Sequence, residues 1–280
     1  MYSKEYKLAV TAPPLIWVSL FLLCAYLILF AHSFWSVRDG QIAREFTLAN
    51  YKQIVSSPLY LEVLFRSMKI AGAVTGLALL LAYPVAYYLS FRARHKNLLY
   101  QLIIVPLWVS YLVRAYAWKT ILGSDGVLNT SLQFLHITHS AVSALLYSPF
   151  AVVLTLTHIY TPFAFLPIFA SLEHVPRNLI EASQDLGATP WQTFRGVILP
   201  LSLPGVIAGA TFAFVLSLGD FLAPLLVGGP SGIMISNIVV SLFGAAYDWP
   251  LGAAISLLML VIVVGLLFAT ERLEKRYSYQ

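Results

Sequence analysis

Apolar runs long enough to cross a bilayer recur along the whole chain, and nothing else in the sequence restricts the fold as much. An α-helix rises 1.5 Å per residue, so about 20 apolar residues traverse the hydrocarbon core. The stretches 15–35, 67–91, 98–122, 149–172, 203–227 and 251–270 meet that length, with ends soft by several residues. A further apolar run, 233–246, is short for a span and carries Ser236, Asn237 and Ser241, so it reads as re-entrant or interfacial. With 59% hydrophobic and only 10% charged residues, no soluble domain can be cut out. The expected fold class is therefore all-α: one polytopic transmembrane domain over residues 1–280, with about six membrane helices.

Lys4 and Lys7 precede the first run as they would in a signal peptide. That run is longer than a cleavable apolar region, and Ala31-His32-Ser33 is a poor cleavage site, so an uncleaved first span is expected. The single cysteine, Cys24, lies inside it and reads as a packing residue.

The net charge of +5 is unevenly placed. Arg92, Arg94 and Lys96 form a basic turn between spans two and three, and Arg272, Lys275 and Arg276 follow span six. The opposite loops 123–148 and 228–250 contain no Lys or Arg, which puts both termini in the cytoplasm. Loop 37–66 departs from the pattern with Arg38, Arg44, Lys52 and Arg66, partly offset by Asp39, Glu45 and Glu62. Because these charges flank lipid spans, they point to membrane topology and lipid as surroundings, with no nucleic-acid partner.

Within the spans, Gly72 and Gly76 stand at the small-xxx-small spacing that lets helices approach closely. Pro84, Pro162 and Pro167 should bend their helices, as suits a moving pathway. In loop 37–66, Thr47 is placed to cap a short helix before span two.

One polar insert, about 173–200, interrupts the apolar pattern between spans four and five. Arg177, Asn178, Glu181, Gln184 and Asp185 make 177–186 too polar to span, while Leu179, Ile180 and Leu186 give it an apolar stripe. Gly187 is placed to end that helix in a left-handed conformation. Thr189-Pro190-Trp191-Gln192 then reads as a fresh start: a Thr cap, Pro at the first helical position and Gln three residues after the cap. The expectation is helix, sharp glycine turn, helix, then span five near Pro200 and Pro204.

This insert resembles the EAA loop of ABC-importer permeases: EAA, three residues, Gly, nine residues, Ile, one residue, Leu-Pro. Glu181, Ala182, Gly187, Leu199 and Pro200 match in register, with Ser183 for the second Ala and Val197 for the Ile. The strings FTLANY at 46–51, PLWVSYLVRAYAW at 106–118 and LSLGDFLAPLLVGGP at 216–230 further resemble the spermidine/putrescine-type branch. The resemblance implies a type I ABC importer fold and a cytoplasmic coupling helix that docks on a separate ATPase subunit. Glu181, Ala182, Ser183, Asp185, Leu186 and Gly187 would form the coupling surface. Ala182 would seat in a groove, Gly187 would make the turn, and the Glu181 carboxylate would hold the loop or meet the ATPase. It also implies the partners: a second permease, two ATPase subunits and a periplasmic substrate-binding protein, all at a bacterial inner membrane.

No catalytic constellation stands out. P-loop, HExxH and Cys/His zinc spacing are all missing, and His136 and His139 read as a surface pair. The chain is expected to be no enzyme and to hold no cofactor or metal, with ATP and Mg bound by the partner ATPases.

Charges inside spans are costly, about 2.5–3.5 kcal/mol at the bilayer centre on insertion scales, and they usually have a task. Arg114 in span three and Asp220 in span five fall at similar depth when counted from the inner ends. Either the two pair with each other or with a partner subunit, or Asp220 faces the pathway and receives a cation. Trp108, Tyr111, Tyr116 and Phe221 supply aromatic faces beside them, and an amine gains about 0.5–2 kcal/mol over such a face. The expected substrate is a small organic cation, by the resemblance a polyamine such as spermidine or putrescine, with another amine or an amino-acid-like solute as the alternative. An ion-coupled secondary transporter is the rival from another class; it should show inverted repeats, and none is visible.

Overall fold

A computed structural model describes residues 4–142 and 145–278. Its elements in chain order are α1 (Lys4–Ser33), the hairpin β1 (Ser36–Arg38) and β2 (Gln41–Ala43), α2 (Ala49–Ser56), α3 (Pro58–Phe91), α4 (Lys96–Ile104), α5 (Tyr111–Leu122), α6 (Val127–Phe134), α7 (Pro149–Glu173), α8 (Arg177–Asp185), α9 (Pro190–Thr193), α10 (Leu199–Gly219), α11 (Ile235–Phe243) and α12 (Trp249–Ser278). Among the described residues, five helices are long and apolar enough to cross a membrane, and one bent pair makes a sixth. The side chains of Lys4, Lys7, Lys275 and Arg276, which carry part of the charge asymmetry, lie outside the described residues.

The chain divides into two compact units: residues 1–61 with 238–262, and residues 62–237 with 263–280. In the first, α1 exposes apolar side chains such as Leu15, Trp17, Leu23 and Leu27 along its length, a surface suited to lipid and not to water. Its end is tied down by the FTLANY string. Asn50 donates Nδ2–H to the Ser33 and Trp35 carbonyls at 2.8 Å each, and the Tyr51 hydroxyl reaches Ser33 Oγ at 2.9 Å. Thr47 Oγ1 accepts the Ala49 N–H at 3.1 Å, but the residue in the cap position of α2 is Leu48, so Thr47 braces the turn before the helix and is not the cap that was expected.

The second unit is built around α7, α10 and α3. Gly205 and Gly209 let α10 approach α7: a Cβ on Gly205 would sit 2.4 Å from Ser171 Cβ, and one on Gly209 would sit 2.7 Å from the Ala164 carbonyl oxygen. By contrast a Cβ on Gly72 or Gly76 meets nothing within 4 Å, so the expected close approach at that pair is not made among the described residues. Two apolar cores fill the unit, one around Leu156, Ile159 and Val227, the other around Phe165, Ile168 and Ile198. Pro84, Pro162 and Pro167 sit inside unbroken helices.

Two spans differ from expectation. Span three is not continuous: residues 96–108 and 111–134 are bent by 93° at Val109-Ser110. Pro106 sits in a short tight turn of helix, and Val109 is extended before α5. The depth assigned to Arg114 by counting along a straight helix therefore does not hold. Span five likewise stops at Gly219, with Asp220 extended (φ −73°, ψ 128°) and a new helical turn running on through Pro224–Gly228. Asp220 lies at a helix break and not within a helix. The run 233–246 forms α11, nine residues long and too short to span, as expected.

Candidate functional site

The polar insert folds as its residues dictate. α8 begins after Pro176, and Gly187 follows it with φ +81°, the left-handed conformation that glycine takes without penalty. The Ala188 N–H bonds the Ser183 carbonyl at 3.1 Å, closing the helix end. Thr189 then starts α9 with a reciprocal cap: Thr189 Oγ1 accepts the Gln192 N–H, and Gln192 Oε1 accepts the Thr189 N–H at 2.7 Å.

Within this hairpin Glu181, Ala182, Asp185, Leu186 and Gly187 are exposed, and Ser183 is half-buried with its hydroxyl 3.0 Å from Thr193 Oγ1. Leu186 is 89% exposed and Trp191 67%. Leu179, Ala182, Leu186, Val197 and Pro200 line an apolar groove of about 650 Å³. Exposed apolar surface of this kind is a general feature of protein-interaction sites.

At its root the hairpin is pinned to the bundle. Arg177 donates Nη2–H to the Ser90 carbonyl at 2.7 Å and lies 5.0 Å from the Phe91 ring centroid. Lys96 pairs with Glu173 and sits 5.3 Å from the Phe169 ring centroid.

A second constellation gathers at the α10 break. Asp220 is only 7% exposed. Its Oδ1 accepts the backbone N–H groups of Leu222 and Ala223, at 2.9 and 3.1 Å, and so caps the turn that follows. Its Oδ2 accepts the hydroxyls of Tyr160, at 2.6 Å, and Tyr111. All four donors are neutral, and together they fill the hydrogen-bonding capacity of the two carboxylate oxygens. The Ser236 hydroxyl and Asn237 Nδ2 hold the backbone carbonyls of Asp220 and Phe221 on the other side of the break. Tyr111, Tyr160, Leu216, Asp220 and Phe221 line a cavity of about 450 Å³.

Of the six pathway residues expected, the structure brings together Tyr111, Asp220 and Phe221. Trp108, 84% exposed, and Tyr116, 50% exposed, do not line the cavity. Arg114 makes no ion pair with Asp220, and its Nε and Nη1 are buried without a hydrogen-bond partner. Tyr160 was not singled out in the sequence, where one tyrosine in an apolar helix carries no pattern. No group of three or more metal-ligating side chains occurs among the described residues.

Known proteins give this geometry its setting. Residues 75–279 match the family model described as "Binding-protein-dependent transport system inner membrane component". The chain is 37% identical to the inner membrane ABC transporter permease protein YdcU of Escherichia coli over 274 residues, 93% of this chain and 87% of that one. It is also 37% identical to the spermidine/putrescine transport system permease protein PotB of Escherichia coli, over 254 residues, 90% of this chain and 91% of PotB. In fold it is similar to a chain of a bacterial ABC transporter involved in the import of the acidic polysaccharide alginate. That likeness has a TM-score of 0.72 at 20% identity and covers 97% of this chain and 96% of the other; at such identity it speaks for the fold alone.

Proposed function

The chain belongs to the family of binding-protein-dependent transport system inner membrane components, and from that membership we propose that it forms one side of the pathway of an ATP-driven importer for small organic cations, polyamines foremost. It is a membrane-spanning permease subunit with the type I importer fold. In the complete importer it works beside a second permease, two ATPase subunits that bind ATP and Mg, and a periplasmic substrate-binding protein. Both termini and the turn at Arg92–Lys96 face the cytoplasm, on the side of the α8–α9 hairpin.

One observation carries the substrate class: the Asp220 carboxylate lines a cavity, is buried, and makes no ion pair among the described residues. A low-dielectric surround strengthens its field, and an amine passing over Tyr111, Tyr160 and Phe221 meets both charge and ring faces. The identity to PotB, whose name states spermidine and putrescine, supports polyamines over other amines. On the inner side, the hairpin seats its apolar groove and Ala182 against the ATPase, and Gly187 fixes the angle between the two helices.

Uptake of radiolabelled putrescine by cells expressing the whole importer, with excess unlabelled spermidine or a neutral amino acid as competitor, tests the reading. Competition by spermidine alone is expected. Competition by the amino acid alone would reassign the substrate class.

A further inference from the structure

Helix α3 is held at two points, one beside the hairpin and one beside the Asp220 cavity. At its C-terminal end the last carbonyls lack intrahelical partners. Arg177, the first residue of α8, supplies one to Ser90 and brings a positive charge to the negative end of the helix dipole. Toward the other end Ser67 is fully buried. Its hydroxyl proton goes to the Val63 carbonyl at 2.7 Å, which leaves Oγ to accept the Ile235 N–H at 2.8 Å. The next two residues, Ser236 and Asn237, hold the backbone of Asp220 and Phe221. From Ser67 to Ser90 the helix is unbroken, about 35 Å at 1.5 Å per residue, which exceeds the hydrocarbon core of about 30 Å.

We propose that α3 is the rod that carries displacement of the α8–α9 hairpin to the Asp220 cavity, with Arg177 and Ser67 as its positioning residues. This rests on the reading of the hairpin as the ATPase-coupling element. The chain connects α8 directly only to α7 and α9; Arg177 supplies its hydrogen bond to α3, Ile180 packs on the core that α3 shares with α7 and α10, and the residues of α8 are otherwise exposed apart from Ser183. A charge-assisted hydrogen bond is stronger than a neutral one, so Arg177 is the firm link at that end. A helix does not shorten under load, and motion at Ser90 arrives at Ser67, shifting Ile235 and, through Ser236, the carbonyl of Asp220.

The test uses the assembled importer with Cys24→Ala and a reporter cysteine at Leu225, which is 65% exposed in the turn after Asp220. The rate of maleimide labelling is measured without nucleotide and with MgATP plus vanadate. In the parent, nucleotide should change the rate severalfold. Arg177→Ala and Ser67→Ala should each abolish that response while the ATPase still copurifies and hydrolyses ATP at its basal rate. The double variant should lose no more than either single, and Arg177→Lys should restore part of the response. No nucleotide response in the parent, a response retained in Arg177→Ala, or a double variant clearly worse than both singles would each overturn the rod. Arg177 is exposed, so its variant decides the matter even where Ser67→Ala fails to assemble. Failure of the parent chain to retain the ATPase would bring down the coupling reading first, and the rod with it.

Discussion

Tyr160, in the middle of α7, donates its hydroxyl to Oδ2 of Asp220 at 2.6 Å at the point where α10 stops. With Tyr111 on the same oxygen and two backbone amides on the other, the carboxylate joins α5, α7 and both sides of the break. It is thus a structural hub and a charge at once, and substitutions can separate the two.

Asp220→Ala strands two tyrosine hydroxyls and two backbone amides, each at a cost of about 1–3 kcal/mol. The yield of assembled importer should collapse. Asp220→Asn keeps the shape and offers both an acceptor and donors, so assembly should persist while putrescine uptake falls at least about tenfold, which is about 1.4 kcal/mol of transition-state stabilisation. Adding Arg114→Gln should rescue neither, because Arg114 and Asp220 form no pair. Complex yield and initial uptake rate, measured on the four chains, check this; recovery of uptake in the double variant would contradict it.

At Gly205 α10 lies too close to α7 to admit a Cβ. Gly205→Leu should cost about 1–3 kcal/mol or more through overpacking and lower the melting temperature of the detergent-solubilised chain. Gly72→Ala should leave that temperature unchanged, since a Cβ there meets nothing within 4 Å among the described residues. Equal sensitivity at the two positions would show the packing assignment to be wrong.

The contrast between these glycines shows what the sequence could and could not tell. Spacing marks 72 and 76 as readily as 205 and 209, but only the fold says which face is covered. The α8–α9 hairpin was legible because every signal in it is local: Gly187, Thr189, Pro190 and Gln192 act on their neighbours within four residues. The breaks at Val109 and Asp220 were hidden because apolar residues flank both, and hydropathy averages over them. Their signals were nonetheless present, in Pro106 and Ser110 for the first and in the Gly219-Asp220 pair, a helix stop followed by a capping residue, for the second. Tyr160 could not be found from the sequence, because its importance lies in a contact across 60 residues.

Gly187 has φ +81°. Gly187→Val forces a β-branched residue into the left-handed region at a cost of about 1–2 kcal/mol, and the hairpin should open. Binding-protein-stimulated ATP hydrolysis should fall severalfold, with membrane insertion unchanged by fractionation. Wild-type stimulation in this variant, and in Ala182→Trp, would remove the coupling role.

Orientation can be read with single cysteines in the Cys24→Ala chain. A membrane-impermeant thiol reagent applied to spheroplasts should label Thr130→Cys on α6 and spare Arg94→Cys in the basic turn. The reverse pattern would invert the topology.

The central claim is that ATP hydrolysed by a separate subunit drives an organic cation past Asp220. Proteoliposomes holding this chain with its partner permease, ATPase and putrescine-loaded binding protein measure it directly. The account predicts putrescine transport that requires ATP on the hairpin side, is indifferent to proton or sodium gradients, and is lost in assembled Asp220→Asn complexes. Uptake driven by an ion gradient without ATP, or ATP-driven uptake at the parental rate in the Asp220→Asn complex, would contradict it.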